Sequence, residues 1–472
     1  MQSQKNRSNG HRFSLLASVA AMTFTLSVSG ATSASSEQDM LKPLLNAASE
    51  STLTYDWPIL KVGTGTYEEG PTGVTVFHFD KKVFVAADVR GGGPGTVNAS
   101  YMDLGYNYAE LDTVVFSGGS WYGLEAVTAV ASALKDDGIR DGDAFSLEPN
   151  MAMSVGSIIF DFGSRRLNEI YPDKRLAQAA FRAAKTGTFP RGAYGAGRFA
   201  KSGAFFGCNA FSGQGGAFKQ VGDLKIAAFV IANPYGVITK RDGTVAACYE
   251  GASWPGGKIR TSDLMQGFPE SRESGGKNAD IPVSSKNTTV SLIVTNQKLD
   301  PAELKRLATQ VHTSMGRGIQ PFMTQYDGDV LYAVSTAELD EPAFMPPDLG
   351  VIASEVMWDA LLSAVPEQPV AATPDPDLSY NMEQLATFTG NYTFSPMVSL
   401  EISARDGALY AQASGKRKVY GIGHQEPVAL SPVAETEFML PGRYPLTFKF
   451  KKDGQLVLNP GHWQQVSQDK TP

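Results

Sequence analysis

From about residue 53 to 364, apolar segments of strand length alternate with amphipathic segments of helical spacing. Residues 225–232 are almost wholly apolar, and residues 290–295 are largely apolar, which is typical of strands buried on both faces. Residues 124–134 and 304–315 instead have apolar side chains three and four positions apart, which indicates helices. This alternation predicts an α+β fold with helices lying over sheets.

Other segments extend this prediction. Residues 74–79 and 83–89 are expected to form two strands joined by a polar turn at Asp80-Lys81-Lys82. Asp300, Pro301 and Glu303 occupy the N-cap, first and third positions of a helix start. Further strands are expected at 113–117, 157–162 and 330–334, and further helices at 174–185 and 351–362.

The last hundred residues differ in character. Residues 366–377 are Pro-rich and predict a linker. Beyond it, residues 378–472 predict a separate small all-β domain, with hairpin turns at Asp406-Gly407 and Asp453-Gly454. Its expected strands are residues 386–394, 398–404, 409–412, 446–450 and 456–458.

The first 34 residues have the layout of a secretory signal peptide. Lys5, Arg7 and Arg12 precede an apolar stretch at 13–28, and small residues close the segment. We therefore expect an exported, periplasmic protein with no membrane span in its mature form; the alternative is an uncleaved membrane anchor. The whole chain carries 41 basic and 48 acidic residues, and this balance of −7 argues against nucleic acid as a partner.

Cysteine and histidine residues give little sign of a metal site. Cys208 and Cys248 could form one disulfide in an oxidising compartment or remain two buried thiols. The five histidines are scattered singly, and the sequence has neither a Cys-x-x-Cys pair nor a Gly-x-Ser-x-Gly elbow. We therefore expect no metal or cofactor and no serine triad of that kind.

A candidate nucleophile lies where a polar, Gly-rich segment at 270–286 meets an apolar strand. Asn287-Thr288-Thr289 begins this strand. If the chain were cut before Thr288, the freed residue would carry a hydroxyl nucleophile and an α-amine base with a pKa of about 7.7–8.0. The alternative is that Thr288 and Thr289 only begin a strand.

Three polar residues flank other expected strands. Asp327 and Asp329 precede residues 330–334, and form either a turn with solvated carboxylates or an acidic pair that holds an ammonium group. Asn233 ends the strand at 225–232, and either caps a turn or donates a hydrogen bond to an oxyanion. The run Gly91-Gly92-Gly93 is expected to bring backbone close to a neighbouring segment.

Several stretches, taken together and in order across residues 53–364, resemble one family. They are YEEGPTGVTV at 67–76, SGGSWYGLEA at 117–126, YPDK at 171–174, GQG at 213–215, ANPYGVI at 232–238, NTT at 287–289, QVHTSMGRGIQPF at 310–322, DGD at 327–329 and IASEVMWDA at 352–360. The chain is similar to the nylon-oligomer hydrolases (6-aminohexanoate-oligomer endo-hydrolases). These belong to the self-cleaving N-terminal-nucleophile family that also holds the β-aminopeptidases and D-aminopeptidases.

The resemblance implies a four-layer αββα sandwich whose precursor is cut between Asn287 and Thr288. Residues 35–287 and 288–365 would be its two fragments, with Thr288 as the nucleophile. The family's oxyanion-side asparagine falls on Asn233, and its acidic pair falls on Asp327 and Asp329. Its Gly-Gly-x-x-Tyr-Gly tyrosine falls on Tyr122, and assembly of processed units into a homo-oligomer is expected.

One family position differs. The resemblance implies a lysine seven residues after Gly195-Ala196-Gly197, but Ala204 stands there and Lys201 comes three residues earlier. Either Lys201 substitutes through a shift of the loop, or the amine of Thr288 acts alone.

The sequence thus predicts an exported, self-processing amide hydrolase with a small amide or peptide substrate. Oligomers of ω-amino acids and unusual peptides are the expected substrates. An aminopeptidase for peptides with β- or D-residues is the first alternative. A non-catalytic envelope-binding protein on the same fold is the second.

Overall fold

The computed structural model describes residues 41–103, 109–142, 147, 150–162, 170–208, 210–248, 258–268, 287–369, 372–420, 422–440, 446–459, 461 and 463–472. Within these ranges, no helix combines the length and apolar character that crossing a membrane requires. The predicted signal peptide at 1–34 and the polar segment at 270–286 lie outside the described residues.

The described part up to residue 365 is a mixed sheet with helices. Its strands are β1 (Leu44–Leu45), β2 (Thr52–Thr54), β3 (Leu60–Tyr67), β4 (Thr72–Val89), β5 (Thr96–Val97), β6 (Glu110–Ser117), β7 (Ser154–Ile158), β8 (Lys185–Thr186), β9 (Thr188–Pro190), β10 (Lys201–Ser202), β11 (Ala210–Phe211), β12 (Gln214–Val221), β13 (Leu224–Asn233), β14 (Val237–Ile238), β15 (Thr288–Gln297), β16 (Ile319–Gln320) and β17 (Val330–Leu339). Its α-helices are α1 (Glu125–Asp136), α2 (Lys174–Arg182), α3 (Thr261–Gln266), α4 (Pro301–Ser314) and α5 (Pro346–Ser363).

Among the described residues, eleven strands form one sheet in the order β12-β13-β15-β17-β4-β6-β7-β5, with β3 beside β4 and paired to β1 and β8. β4 runs without interruption, so the prediction of two strands joined by a turn at Asp80-Lys81-Lys82 is wrong. That segment has no glycine to accept the positive φ of a tight hairpin turn. Instead both halves of β4 pair with β6, and a bulge between His78 and Val83 absorbs the polar residues.

The sheet folds over on itself around an aromatic core. Phe77 of β4 and Phe229 of β13 are three strands apart along the sheet, which is about 14 Å in a flat sheet. Their ring centres nevertheless lie 4.8 Å apart, and those of Phe116 and Tyr332 lie 6.1 Å apart. The two halves of the sheet therefore pack face to face, and their alternate side chains point outward.

Helices cover the outward faces. On one half, Val127 and Val130 of α1 and Leu176 of α2 share a buried core with Val74 and Val115. On the other half, residues of α4 and α5 pack on the outward side chains of β13, β15 and β17, such as Val230, Ile293 and Leu331. The expectation of an α+β fold with helices over sheets is confirmed at this level.

The sequence predicts the elements of this part well, apart from their ends. Asp300 caps α4 through the amide of Glu303, whose carboxylate accepts in return from the amide of Asp300, so the predicted helix start is confirmed. The helix expected at 174–185 stops at Arg182, because Lys185 and Thr186 pair with β3.

The C-terminal part is an antiparallel curled sheet. A short helix, α6 (Met382–Ala386), precedes it where a strand was expected to begin. Asp406 and Gly407 both have positive φ between two paired strands, which confirms a predicted hairpin turn. The nine described strands are β18 (Gly390–Ser395), β19 (Val398–Arg405), β20 (Ala408–Ala413), β21 (Val428–Ala434), β22 (Glu437–Leu440), β23 (Leu446–Phe450), β24 (Leu456–Leu458), β25 (Gln465–Val466) and β26 (Asp469–Thr471).

Candidate active site

The topology of the sheet brings the predicted site residues to one edge. β15 and β17 are parallel, so the residues that precede both strands lie side by side, and Asn287 forms a bridge with Asp327. β13 is antiparallel to β15, and its last residue, Asn233, is paired with Thr288. This arrangement places Thr288, Asn233 and the loop from Asp327 to Asp329 within one buried patch.

The hydroxyl of Thr288 lies against the peptide bond that precedes it. Its Oγ1 donates a hydrogen bond to the carbonyl oxygen of Asn287 at 2.5 Å. The same oxygen accepts from the backbone N–H of Gly328 at 2.9 Å. An alkoxide attacking this carbonyl would transfer negative charge to an oxygen that already has a backbone donor.

Asn287 is held on both sides of that carbonyl. Its backbone N–H donates to the carbonyl of Tyr326 at 3.0 Å, and its side-chain Nδ2 donates to the carbonyl of Asn233 at 3.2 Å. The residue before the expected cut is therefore anchored to two neighbouring segments, which limits the geometries available to the Asn287–Thr288 bond.

Asp327 is buried and accepts three hydrogen bonds. The N–H of Tyr235 donates to Oδ1 at 3.1 Å, and both the N–H and the hydroxyl of Thr324 donate to Oδ2, at 3.0 and 2.6 Å. This carboxylate is thus an organising centre that links the turn at the end of β13 to the loop before β17.

Asp329 lies deeper and contacts the residue that follows Thr288. Its Oδ1 accepts from the backbone N–H of Thr289 at 2.6 Å, and its Oδ2 accepts from that of Met323 at 3.1 Å. Its backbone carbonyl accepts from the N–H groups of Arg90 and Gly91, so the expected close approach of the glycine run is confirmed.

Burial controls the charge of this pair. Loss of solvation raises the pKa of both carboxyls, and for Asp329 the nearby Asp327 raises the pKa further, while the backbone N–H donors oppose the shift. The solvated-carboxylate alternative is therefore wrong. A positive charge placed beside this acidic pair would favour its ionised form.

This shift predicts how the stability of the uncut chain depends on pH. The pKa of Asp329 in the folded chain lies above its unfolded value of about 3.9, so the folded chain binds this proton more tightly than the unfolded chain does. The stability that this provides is fully present below about pH 3.9 and is lost as the pH rises through the folded pKa. In a Thr288→Ala chain, the free energy of unfolding measured with urea should fall as the pH rises from about 3.9 through the folded pKa of Asp329. Asp329→Asn should flatten the fall and, by removing one acceptor, cost about 1–2 kcal/mol at low pH.

Asp340 offers the matched control, because its carboxylate is exposed beside Lys298. Asp340→Asn should leave the slope of stability against pH unchanged. An Asp329→Asn chain with the slope of its parent would contradict the assignment of the raised pKa to this pair.

Asn233 is a bridge as well as a neighbour of Thr288. Its Oδ1 accepts from the backbone N–H of Lys201 at 3.0 Å, and its Nδ2 donates to the carbonyl of Phe160 at 3.0 Å. An amide nitrogen carries two N–H groups, and the second has no acceptor among the residues that the structure describes.

Lys201 meets this site through its backbone. Its ammonium group lies over two aromatic rings, 5.3 Å from the centre of Phe199 and 4.8 Å from that of Phe211. Burial lowers the pKa of Lys201 to about 8. A lysine with this pKa is partly neutral near pH 8 and can both accept and donate a proton.

Tyr122 lies further out than the other candidates. It belongs to a short 3-10 helix, and its exposed ring packs 5.7 Å from that of Tyr171 and 6.1 Å from that of Phe162. Its side chain forms no hydrogen bond with Thr288, Asn233 or the acidic pair within the part of the chain that the structure describes.

The structure also answers the questions that the sequence raised about the cysteines and about a metal site. Cys208 and Cys248 form a disulfide, with Cα atoms 5.1 Å apart, which decides between the two alternatives left open by the sequence. Among the described residues, no group of three or more His, Cys, Asp or Glu side chains is arranged to hold a metal ion.

Two residues that contact the site, Gly328 and Thr324, are not predicted from the sequence. Gly328 acts through a backbone N–H, and only its place between Asp327 and Asp329 hinted at a role. Thr324 precedes Asp327 by three residues, a spacing at which a threonine can reach a carboxylate of the same turn.

Comparison with known proteins extends this picture. The chain is 39% identical over 325 residues to the 6-aminohexanoate-oligomer endohydrolase of Paenarthrobacter ureafaciens, covering 66% of this chain and 85% of that protein. It is 39% identical over 333 residues to the enzyme of the same name from a Kocuria species, covering 68% and 88%. The structure of the L-aminopeptidase D-Ala-esterase/amidase of Ochrobactrum anthropi matches 68% of this chain and 87% of its own, with a TM-score of 0.46 and 19% identity.

The family model of peptidase family S58 matches residues 54–374, which is most of the chain and includes every candidate site residue. The resemblance drawn from the sequence segments is thereby confirmed. The chain belongs to peptidase family S58.

Proposed function

We propose that the chain is a self-processing amide hydrolase that cuts its own Asn287–Thr288 bond and then uses Thr288 as an N-terminal nucleophile. The observation that carries this proposal is the 2.5 Å contact of Thr288 Oγ1 with the Asn287 carbonyl, whose oxygen also accepts from Gly328. Membership of a peptidase family gives the site its reaction class.

Self-cleavage would proceed through an ester. Thr288 Oγ1 attacks the carbonyl carbon of Asn287, and the carbonyl oxygen takes up negative charge beside the Gly328 N–H. The tetrahedral intermediate then expels the Thr288 nitrogen, which takes a proton as the hydroxyl loses one. Water opens the ester and leaves a carboxylate at Asn287 and a free amine and hydroxyl on Thr288.

Turnover would use the same groups on an external amide. The new amine of Thr288, with a pKa of about 7.7–8.0, takes the hydroxyl proton during attack. Asp327 and Asp329 orient the amine when it is charged, and the remaining Asn233 N–H stabilises the substrate oxyanion. The leaving amine departs with a proton, and water hydrolyses the acyl-enzyme.

The proposed substrate class is linear amides of ω-amino acids. It is supported by the two relatives named for endohydrolysis of 6-aminohexanoate oligomers, each 39% identical over more than 320 residues. We also propose that the cut divides the hydrolase domain into 35–287 and 288–365, the latter continuing into the linker and the C-terminal domain, that 1–34 is removed on export, and that processed units assemble into a homo-oligomer.

Substrate cleavage tests this proposal directly. Linear 6-aminohexanoate oligomers with free and with acetylated amino termini would be incubated with the purified protein, and products followed by liquid chromatography and mass spectrometry. We expect both oligomers to be cleaved at internal bonds, because an endo-acting site needs no terminal ammonium. Cleavage of the free oligomer alone would indicate an aminopeptidase. Binding without cleavage of either would favour a non-catalytic protein.

The proposed architecture is the four-layer αββα sandwich of N-terminal-nucleophile hydrolases. It is supported by the aromatic core between the two halves of the sheet and by the helices on both outer faces.

A further inference from the structure

The C-terminal domain contacts a small ribbon beside the candidate site. This ribbon, here the Lys201–Phe211 ribbon, consists of β10 and β11, in which Lys201 is paired with Phe211. The ring of Trp463, from the C-terminal domain, lies 4.3 Å from that of Phe211. Trp463 is 5% exposed and is buried in one apolar cluster with Phe199. A residue from beyond the Pro-rich linker is thus part of the ribbon's core.

The linker holds the same ribbon from a second direction. The amide N–H of Phe211 donates to Oε1 of Gln368 at 2.8 Å, and Nε2 of Gln368 donates back to the carbonyl of Phe211 at 2.9 Å. The side chain of Gln368 therefore satisfies the outer backbone groups of β11 in the way that a neighbouring strand would.

The ribbon in turn holds the polar group next to the nucleophile. The backbone N–H of Lys201 donates to Oδ1 of Asn233, and Asn233 is paired with Thr288 across β13 and β15. This bond fixes which way the Asn233 amide faces, because its oxygen must meet the Lys201 N–H. The ammonium of Lys201 lies over the rings of Phe199 and Phe211, so the side chain of this lysine contacts the same aromatic cluster that Trp463 joins.

We propose that Trp463 and Gln368 are positioning residues for the reaction of Thr288, acting through Phe211, Lys201 and Asn233. The proposal rests on the function proposed above. It assigns the C-terminal domain a part in forming the site: without these two contacts, β11 loses its outer support, and the Lys201 N–H no longer holds Asn233, the strand partner of Thr288, in place.

Rates of self-cleavage test this chain of contacts. The full-length protein and its variants would be made by cell-free synthesis, and the appearance of the fragment that begins at Thr288 followed over time. Trp463→Leu and Gln368→Leu should each slow cleavage by about tenfold, because displacements of about 1 Å cost up to 10²-fold in rate. Trp463→Phe keeps a ring against Phe211 and should restore most of the rate.

Gln468 supplies the matched control. It also joins the C-terminal domain to the hydrolase part, through a hydrogen bond to Glu69, but it does not contact Phe211. Gln468→Ala should therefore cleave at the rate of the unaltered chain.

Thermal melting of each variant in a Thr288→Ala background separates loss of positioning from loss of stability. Because Trp463 and Gln368 both act on Phe211, their double variant should slow cleavage by less than the product of the single effects.

Each outcome of these experiments either supports the proposal or overturns it. Slow cleavage by the two leucine variants, with rescue by Trp463→Phe and no effect of Gln468→Ala, supports the proposal. Unaltered rates in the leucine variants would overturn it. Equal slowing by Gln468→Ala, or slowing that follows the melting temperature alone, would also overturn it. If the unaltered chain is not cut at all, the proposed function itself fails, and this inference fails with it.

Discussion

Thr288→Ala is expected to leave the chain in one piece and to abolish amide hydrolysis. The variant lacks the Oγ1 that lies 2.5 Å from the Asn287 carbonyl oxygen and is proposed to attack this carbonyl. Loss of a nucleophile in a comparable hydrolase lowers kcat by about 10⁶-fold, so activity should fall below detection. Denaturing electrophoresis would follow the cut, and oligomer hydrolysis would follow the activity.

Two further variants make this result specific. Thr288→Ser keeps a hydroxyl and should still be cut. Thr289→Val keeps the shape of the adjacent residue, whose buried hydroxyl lies on the opposite face of β15, and should also be cut. Loss of cleavage in Thr289→Val together with normal cleavage of Thr288→Ala would move the nucleophile to Thr289 and contradict the account.

Gly328→Ala is expected to slow self-cleavage by about 10²-fold or more, the loss that follows from disturbing an oxyanion donor. A Cβ at this position would lie 2.7 Å from Thr288 Oγ1 and 2.8 Å from the carbonyl oxygen of Gly93. These distances are too short for carbon, so the hydroxyl or the loop must move. The backbone N–H to Asn287 would move with the loop. The cell-free time course described above would measure the rate.

Gly316 is the matched control for this substitution. A Cβ there meets nothing within 4 Å, so Gly316→Ala should be cut at the normal rate. The φ of Gly328 is one that alanine can also adopt, so Gly328→Ala introduces no backbone strain of that kind. Its expected effect therefore comes from crowding beside the Thr288 hydroxyl. A Gly328→Ala chain that is cut as fast as Gly316→Ala would mean that this N–H has no part in the reaction.

Much of this site could be predicted from sequence because its residues lie next to strongly apolar strands. The largely apolar segments 225–232 and 290–295 mark strands buried on both faces, so the polar residues beside them, Asn233 and Thr288, stand out. Asp327 and Asp329 likewise stand immediately before an apolar strand. Because β15 is the neighbour of both β13 and β17, the polar residues at these strand ends lie close together.

The parts that could not be predicted depend on distant contacts. The bulge in β4 follows from its pairing with β6, which local turn patterns do not record. The bond from Gly328 to Asn287 involves backbone atoms only, which every residue has. Phe211 is unremarkable in sequence, and its support by Trp463 and Gln368 joins positions more than 150 residues apart.

Lys201 is a residue that the sequence singles out but whose contacts only the structure shows. Its spacing from Gly195-Ala196-Gly197 left two alternatives: Lys201 replaces the family lysine through a shift of the loop, or the amine of Thr288 acts alone. The structure brings its backbone to Asn233 and its ammonium onto two rings, where burial lowers its pKa to about 8. These contacts depend on the pairing of β10 with β11.

The most direct test of the central claim is the intact mass of the purified protein, combined with sequencing of every amino terminus. The account predicts two fragments, one of which begins Thr288-Thr289-Val290, with the other ending at Asn287. A single uncut chain, or a cut at any other bond, would contradict it.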